Sequence, residues 1–149
     1  MPEIHLKRAV TDADYRSTFD VMRELRPHLT DVDAFVRQMH RQAEQDYVLL
    51  TARHGSPDGA VVALAGYRHL ENTLYGRFVY VDDLVATEHA RNQRLGERLL
   101  DAVRDDARQH GCLQLVLDTG LSNALAQRFY FRQGLLSRGV HFSLSLQAL

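Results

Sequence analysis

The residues able to do chemistry are concentrated between Tyr80 and Arg104, in YVDDLVATEHARNQRLGERLLDAVR. Asp82 and Asp83 are carboxylates that could take a proton from a cationic group or orient a water. Side chains alternate along a regular strand, so Asp82 and Asp83 should face opposite sides, with only one reaching a given cleft. The segment Arg91-Asn92-Gln93-Arg94-Leu95-Gly96 is basic. It runs into an amphipathic helix with Leu95, Leu99, Leu100, Val103 and Ala107 on one face. Strand, polar turn (Thr87 to Ala90) and helix start together aim backbone N–H groups at one spot, with the positive helix end behind them. Such a start binds anions, phosphate above all. A basic loop is also a common solvated turn, so the order of residues must decide.

The elements that position these groups can be read along the chain. Ile4 to Val10 alternates as a strand, and Thr11 to Asp14 supplies a helix cap with acidic residues in the first turn. Tyr15, Phe19, Met22 and Leu25 share a helical face that Pro27 ends, and Asp31 can cap a second helix carrying Phe35 and Met39. Tyr47 to Ala52 and Ala60 to Tyr67 form a hairpin around His54-Gly55-Ser56-Pro57-Asp58-Gly59. The strand from Phe78 to Ala86 follows, then the amphipathic helix, then a strand over Leu113 to Leu117. The last two strands should be parallel, joined by a helical crossover. Ser122 or Asn123 opens a short helix, Ala124 to Arg132, closed by Gly134. Val140, Phe142, Leu144 and Leu146 alternate with polar residues, which predicts a final antiparallel strand. A mixed α/β (α+β) sheet, mostly antiparallel, with helices on both faces is expected, in a single domain over 1–149.

Composition narrows the function classes. The 149 residues suit one domain with a substantial core, and 18 basic against 19 acidic residues give no bulk attraction to nucleic acid or anionic membrane. That balance, with Pro27 between them, argues against a DNA-binding pair in the first two helices. One cysteine, Cys112, allows no internal disulfide and suits a reducing compartment; its apolar setting predicts a buried, inert thiol. The start of the chain, Met1 to Arg8, lacks the apolar stretch of a signal peptide, and no segment reaches the ~20 apolar residues of a membrane span. A cytoplasmic location is expected. The eight histidines show no zinc-like spacing, so no metal is expected, and no phosphate-loop or nucleophile-elbow pattern occurs.

The stretch Asp83-Leu84-Val85-Ala86 with Arg91 and Gly96 resembles the cofactor motif of the GNAT-type N-acetyltransferases, a strand run followed by R/Q-x-x-G-x-G/A. The family's middle glycine is Arg94 here. A second stretch resembles the family's late motif, N-x-x-A-x-x-F-Y-x-x-x-G-F, at Asn123, Ala126, Phe129, Tyr130 and Gly134, with Leu135 in place of the usual phenylalanine. The resemblance covers essentially the whole chain. It implies an acyl-CoA N-acyltransferase-like fold and transfer of acetyl from acetyl-CoA directly to a primary amine of a small molecule or peptide. A sequential mechanism fits, since no convincing nucleophile is present.

Under that resemblance the backbone of Leu84, Val85 and Ala86 would bind the cofactor arm and the developing oxyanion, and Arg91, Asn92, Gln93, Arg94, Leu95 and Gly96 its phosphates. Tyr130 would protonate the leaving thiolate; without the motif it reads as a core aromatic beside Phe129. Asp83 stands where the family often has an acid, so either it or Asp82 would act as base or orient a water. Asn123 either bonds the cofactor arm or caps its helix. Phe19, Met22, Arg26, His28, Tyr67, His69 and Tyr80 are expected to line the acceptor site. The expected partner is an amine-bearing acceptor, with no nucleic acid and no membrane, and a homodimer is left open. The alternative is a non-catalytic acyl-CoA-binding or protein-interaction module on the same fold.

Overall fold

A computed structural model describes residues 3–148. Met1, Pro2 and Leu149 lie outside the described residues, so the sequence reading at both ends is met only in part. The chain divides into two compact units, Met1–Leu117 and Asp118–Leu149.

The first unit is a five-stranded sheet in the order β1-β2-β3-β4-β5. Its strands are β1 (Ile4–Ala9), β2 (Tyr47–His54), β3 (Val61–Asn72), β4 (Gly76–Ala86) and β5 (Gln114–Leu117). β1 to β4 are antiparallel, and β5 joins β4 in parallel from Phe78↔Gln114 to Val81↔Leu117. Two helices, α1 (Asp12–Leu25) and α2 (Val32–Ala43), lie between β1 and β2 in the chain, and α3 (Leu95–Gln109) lies between β4 and β5.

Local chemistry explains each helix start. Thr11 accepts from the Asp14 N–H while the Asp14 carboxylate accepts from Val10 and Thr11, a closed capping box. Asp31 caps α2 by accepting from Asp33 and Ala34. The two faces of the sheet then receive different partners. Tyr47, Leu49 and Leu64 pack with Phe19, Met22, Phe35 and Met39 of α1 and α2. On the other face Tyr67 reaches Asp106 of α3. Leu95, Leu99, Leu100 and Val103 are at most 2% exposed, as the helical periodicity requires. Each such side chain contributes about 1.5–3 kcal/mol of burial.

The second unit contains α4 (Ala124–Arg132), capped by Asn123, whose side-chain oxygen accepts from the Ala126 N–H at 3.1 Å. Gly134, at φ +90°, ends it. The antiparallel strand expected over Val140 to Leu146 does not form. That stretch is irregular, and Val140, Phe142, Leu144 and Leu146 are 62–91% exposed. Alternation supplies an apolar face, but a strand also needs an edge to pair with and a surface to cover. His141 is held instead by an ion pair with Asp118 at 2.9 Å.

Candidate active site

Both carboxylates enter one cavity, because β4 is irregular where the sequence was read as regular. Gly66 pairs with Asp83 and Tyr67 with Val81, so Asp82 is the extra residue of a β-bulge. The bulge shifts the phase of side-chain alternation. Asp82 and Asp83 therefore line the same pocket of about 470 Å³, walled by Met22, Arg26 and His28 near α1 and by Gln38, Met39 and Gln42 of α2. The expectation that only one of the pair could face a cleft is corrected. A signal was present: an isolated glycine inside a strand marks a bulge or a close approach. A Cβ at Gly66 would collide with the Tyr47 hydroxyl and the Asp83 carboxylate.

The two acids sit in different electrostatic settings. Asp82 accepts from Arg68 in a two-pronged pair, 2.8 Å from Nε and 2.9 Å from Nη2. Asp83 is 9% exposed and accepts from the Tyr47 hydroxyl at 2.7 Å and from Arg26 Nε at 3.2 Å. Burial pushes the Asp83 carboxyl above its ordinary value, only partly opposed by Tyr47 and Arg26. Burial likewise holds the Tyr47 phenol well above its usual range, so it stays protonated and donates. Arg26 also ties the bulge in place, donating from Nη2 to the Asp82 carbonyl at 2.7 Å.

Beyond the bulge, the β5-facing edge of β4 from Asp82 to Ala86 has no ladder pairing with β5, whose pairing stops at Val81↔Leu117. Backbone donors and acceptors on that edge are available to an extended ligand. The chain then makes a 3₁₀ turn, Glu88–Gln93, and enters α3 through Arg94 with no side-chain cap, leaving first-turn N–H groups for an anion. Arg94 has φ 55°, ψ 33°, the left-handed region. That conformation is why glycine suits the position, and arginine holds it at a cost of about 1–2 kcal/mol. Leu95 is 2% exposed, so it can contribute to an anion only through its backbone. Arg91 is 3.9 Å from Glu24, and Gln93 contacts His54 at 3.3 Å.

A family model described as the Acetyltransferase (GNAT) family matches residues 11–135. The chain belongs to this family. An uncharacterized N-acetyltransferase, YhdJ, of Bacillus subtilis (strain 168) is 28% identical over 127 residues, covering 85% of this chain and 87% of its own. The aminoalkylphosphonate N-acetyltransferase of Salmonella typhimurium is 28% identical over 148 residues, 98% of this chain and 94% of its own. The fold is also that of the aminoglycoside N-acetyltransferase AAC(6')-Iy solved in complex with CoA. The TM-score is 0.81 at 15% identity, with 99% and 97% of the two chains covered. This GNAT protein is an acetyl-CoA-dependent N-acetyltransferase. The open edge of β4 and the uncapped start of α3 fit the two ends of such a co-substrate, an amide-bearing arm and a pyrophosphate.

The residues expected to line an acceptor site are only partly brought together. Met22, Arg26 and His28 line this pocket, with Arg68, Gln38 and Gln42 beside them. Tyr67 and His69 do not belong to it: their side chains meet Asp106 on the α3 face of the sheet. Phe19 is core, 7% exposed, and Tyr80 stacks under Arg68 at 5.3 Å. Asn123 and Tyr130 lie in the second unit. Asn123 caps α4 there, the structural alternative of its two readings. Tyr130 packs edge-on to Phe129, and burial raises its phenol above the ordinary value. Burial raises the Cys112 thiol too, but the residue is only half-buried, short of the burial its context predicts. Among the described residues no helix is long and apolar enough to cross a membrane.

Proposed function

We propose that this enzyme acetylates a small primary amine that also carries an anionic group, with Asp83 as proton acceptor. The supporting observation is the charge pattern of the α1–α2 pocket, where two guanidiniums, Arg26 and Arg68, face two carboxylates, Asp82 and Asp83. A polycationic acceptor would favour a net acidic pocket, whereas this one is balanced. Its carboxylates suit an ammonium group, and Arg26 and Arg68 keep N–H groups beyond those used on Asp82 and Asp83 for a carboxylate or phosphonate. The Salmonella relative's name points to the same substrate class.

In this mechanism Asp83 removes a proton from the ammonium group, directly or through one water, and so frees the nitrogen lone pair. Its raised value brings it nearer the operating pH and makes it a stronger base. Tyr47 and Arg26 hold the carboxylate in place. Bound acetyl-CoA supplies the thioester carbonyl that the amine attacks. Backbone N–H groups of Leu84 to Ala86 meet the charge developing on that oxygen. Tyr130, protonated at neutral pH as any phenol is, gives its proton to the departing thiolate. The chain works as one catalytic domain in the cytoplasm; a family match that crosses both units and the single cysteine support that reading.

The test is CoA release with amino acids and aminoalkylphosphonates set against polyamines and aminoglycosides. Loss of one charge-assisted hydrogen bond, about 1.5–3 kcal/mol, predicts at least about tenfold lower kcat/KM for amines lacking the anionic group. The reverse order would reject the acceptor class and leave the family assignment standing.

A further inference from the structure

We propose that His69, Asp106 and His110 bind a divalent transition-metal ion on the face of the sheet opposite the acceptor pocket. His69 comes from β3, while Asp106 and His110 lie one turn apart on α3. Their ligand atoms all lie within 4.8 Å of one another. The Asp106 carboxylate stands between the two imidazoles, with Oδ2 3.2 Å from His69 Nε2 and Oδ1 3.1 Å from His110 Nδ1. The two rings are 4.7 Å apart.

Two imidazoles and one carboxylate suit zinc and its first-row neighbours, and do not suit calcium or magnesium, which take oxygen ligands. The supporting contacts are those that a metal site uses. The Tyr67 hydroxyl donates to Asp106 Oδ2 at 2.6 Å and fixes the carboxylate. The His69 backbone N–H is bonded to the Asp46 carbonyl at 3.3 Å. His69 Nδ1 is buried without a hydrogen-bond partner although Nε2 pairs with Asp106, so one ring nitrogen is left unsatisfied by the protein's own groups. The cluster opens into a cavity of about 530 Å³, which gives an ion a way in and room for water ligands.

Other charges line that cavity. Arg8 and Arg77 oppose a cation, and Asp46 and Glu71 offset them. Affinity must therefore come from directed ligand bonds rather than from a general acidic field. A metal here would clamp β3 to α3, so its effect is on stability and not on the chemical step.

The experiment is a calorimetric titration of the chelator-treated full chain with Zn²⁺, beside thermal melts with and without the ion. One ion per chain is expected, with a melting temperature that rises on addition and falls back with EDTA. His110→Gln and His69→Gln should each weaken binding at least about tenfold. The His110 side chain is 58% exposed, so His110→Gln carries the test even where His69→Gln fails to fold. Absence of saturable Zn²⁺ uptake by the wild-type chain overturns the proposal. So does undiminished uptake by folded His110→Gln, which would place the ion elsewhere, for instance at Asp82 and Asp83.

Discussion

Asp14 and Asp83 are each 9% exposed, yet Asp83 lies far deeper among protein atoms and their protonation is pushed in opposite directions. At Asp14 burial alone would raise the carboxyl, but the N–H groups of Val10 and Thr11, with Lys7 beside it, outweigh burial and hold it below the ordinary value. At Asp83 the phenol of Tyr47 and the Arg26 guanidinium fall short, and burial wins. The difference is one of partners and of depth. A capping carboxylate receives fixed backbone donors that ask for full charge. A pocket carboxylate is supported enough to be positioned and too little to be fully stabilised, which is what a base requires.

The sharpest way to break this contrast is Asp83→Asn. Loss of a positioned base should lower turnover about 10²–10⁴-fold. Stability should not fall with it. The folded Asp83 value lies above the unfolded one, so its charge costs stability at neutral pH, and that cost fades as pH falls through the raised folded value and is gone below the unfolded value of about 4. Rates and melts on one preparation check this, and an unchanged rate would remove Asp83 from the chemistry. Asp14→Ala should behave in the opposite sense. It should destabilise by about 1–3 kcal/mol while turnover per folded molecule is preserved. The wild-type contribution is full above the unfolded value near 4 and is lost as pH drops through the lowered folded value. Melts between neutral and strongly acid pH should therefore converge for variant and wild type; a constant gap would contradict the cap's role. The smallest effect is that of Tyr47→Phe. Removing a donor that lowers Asp83 should move the acidic limb of the kcat/KM profile to higher pH, with a stability loss of about 1 kcal/mol. A limb that stays put would show that another group titrates there.

The parts legible in the sequence were those governed by neighbours along the chain. Thr11, Asp31 and Asn123 announced their helices, and Leu95 to Ala107 announced the buried face of α3. The parallel pairing of β4 with β5 followed from the helix between them. What escaped depends on pairing across the sheet. The bulge needs Gly66 set against Asp82 and Asp83, and no periodicity within β4 reveals it. His69 was misplaced with Tyr67 because the turn of the strand past the bulge decides which face each meets. The tail misled for the opposite reason: Val140 to Leu146 has a strand's pattern and no neighbour in its unit to complete it.

The order of connections separates what can vary from what must stay. Asp82 and Asp83 sit on a meander, β2 to β4, whose last turn is held tightly by Asn72 accepting from Leu74 and Tyr75. The pocket's other wall, α1 and α2, lies within the single connection from β1 to β2. Doubling the length of such a connection costs only about 0.6 kcal/mol of closure entropy. Lineages of this enzyme could therefore lengthen, shorten or replace the helical wall, while the bulged strand that carries Asp82 and Asp83 is inherited unchanged.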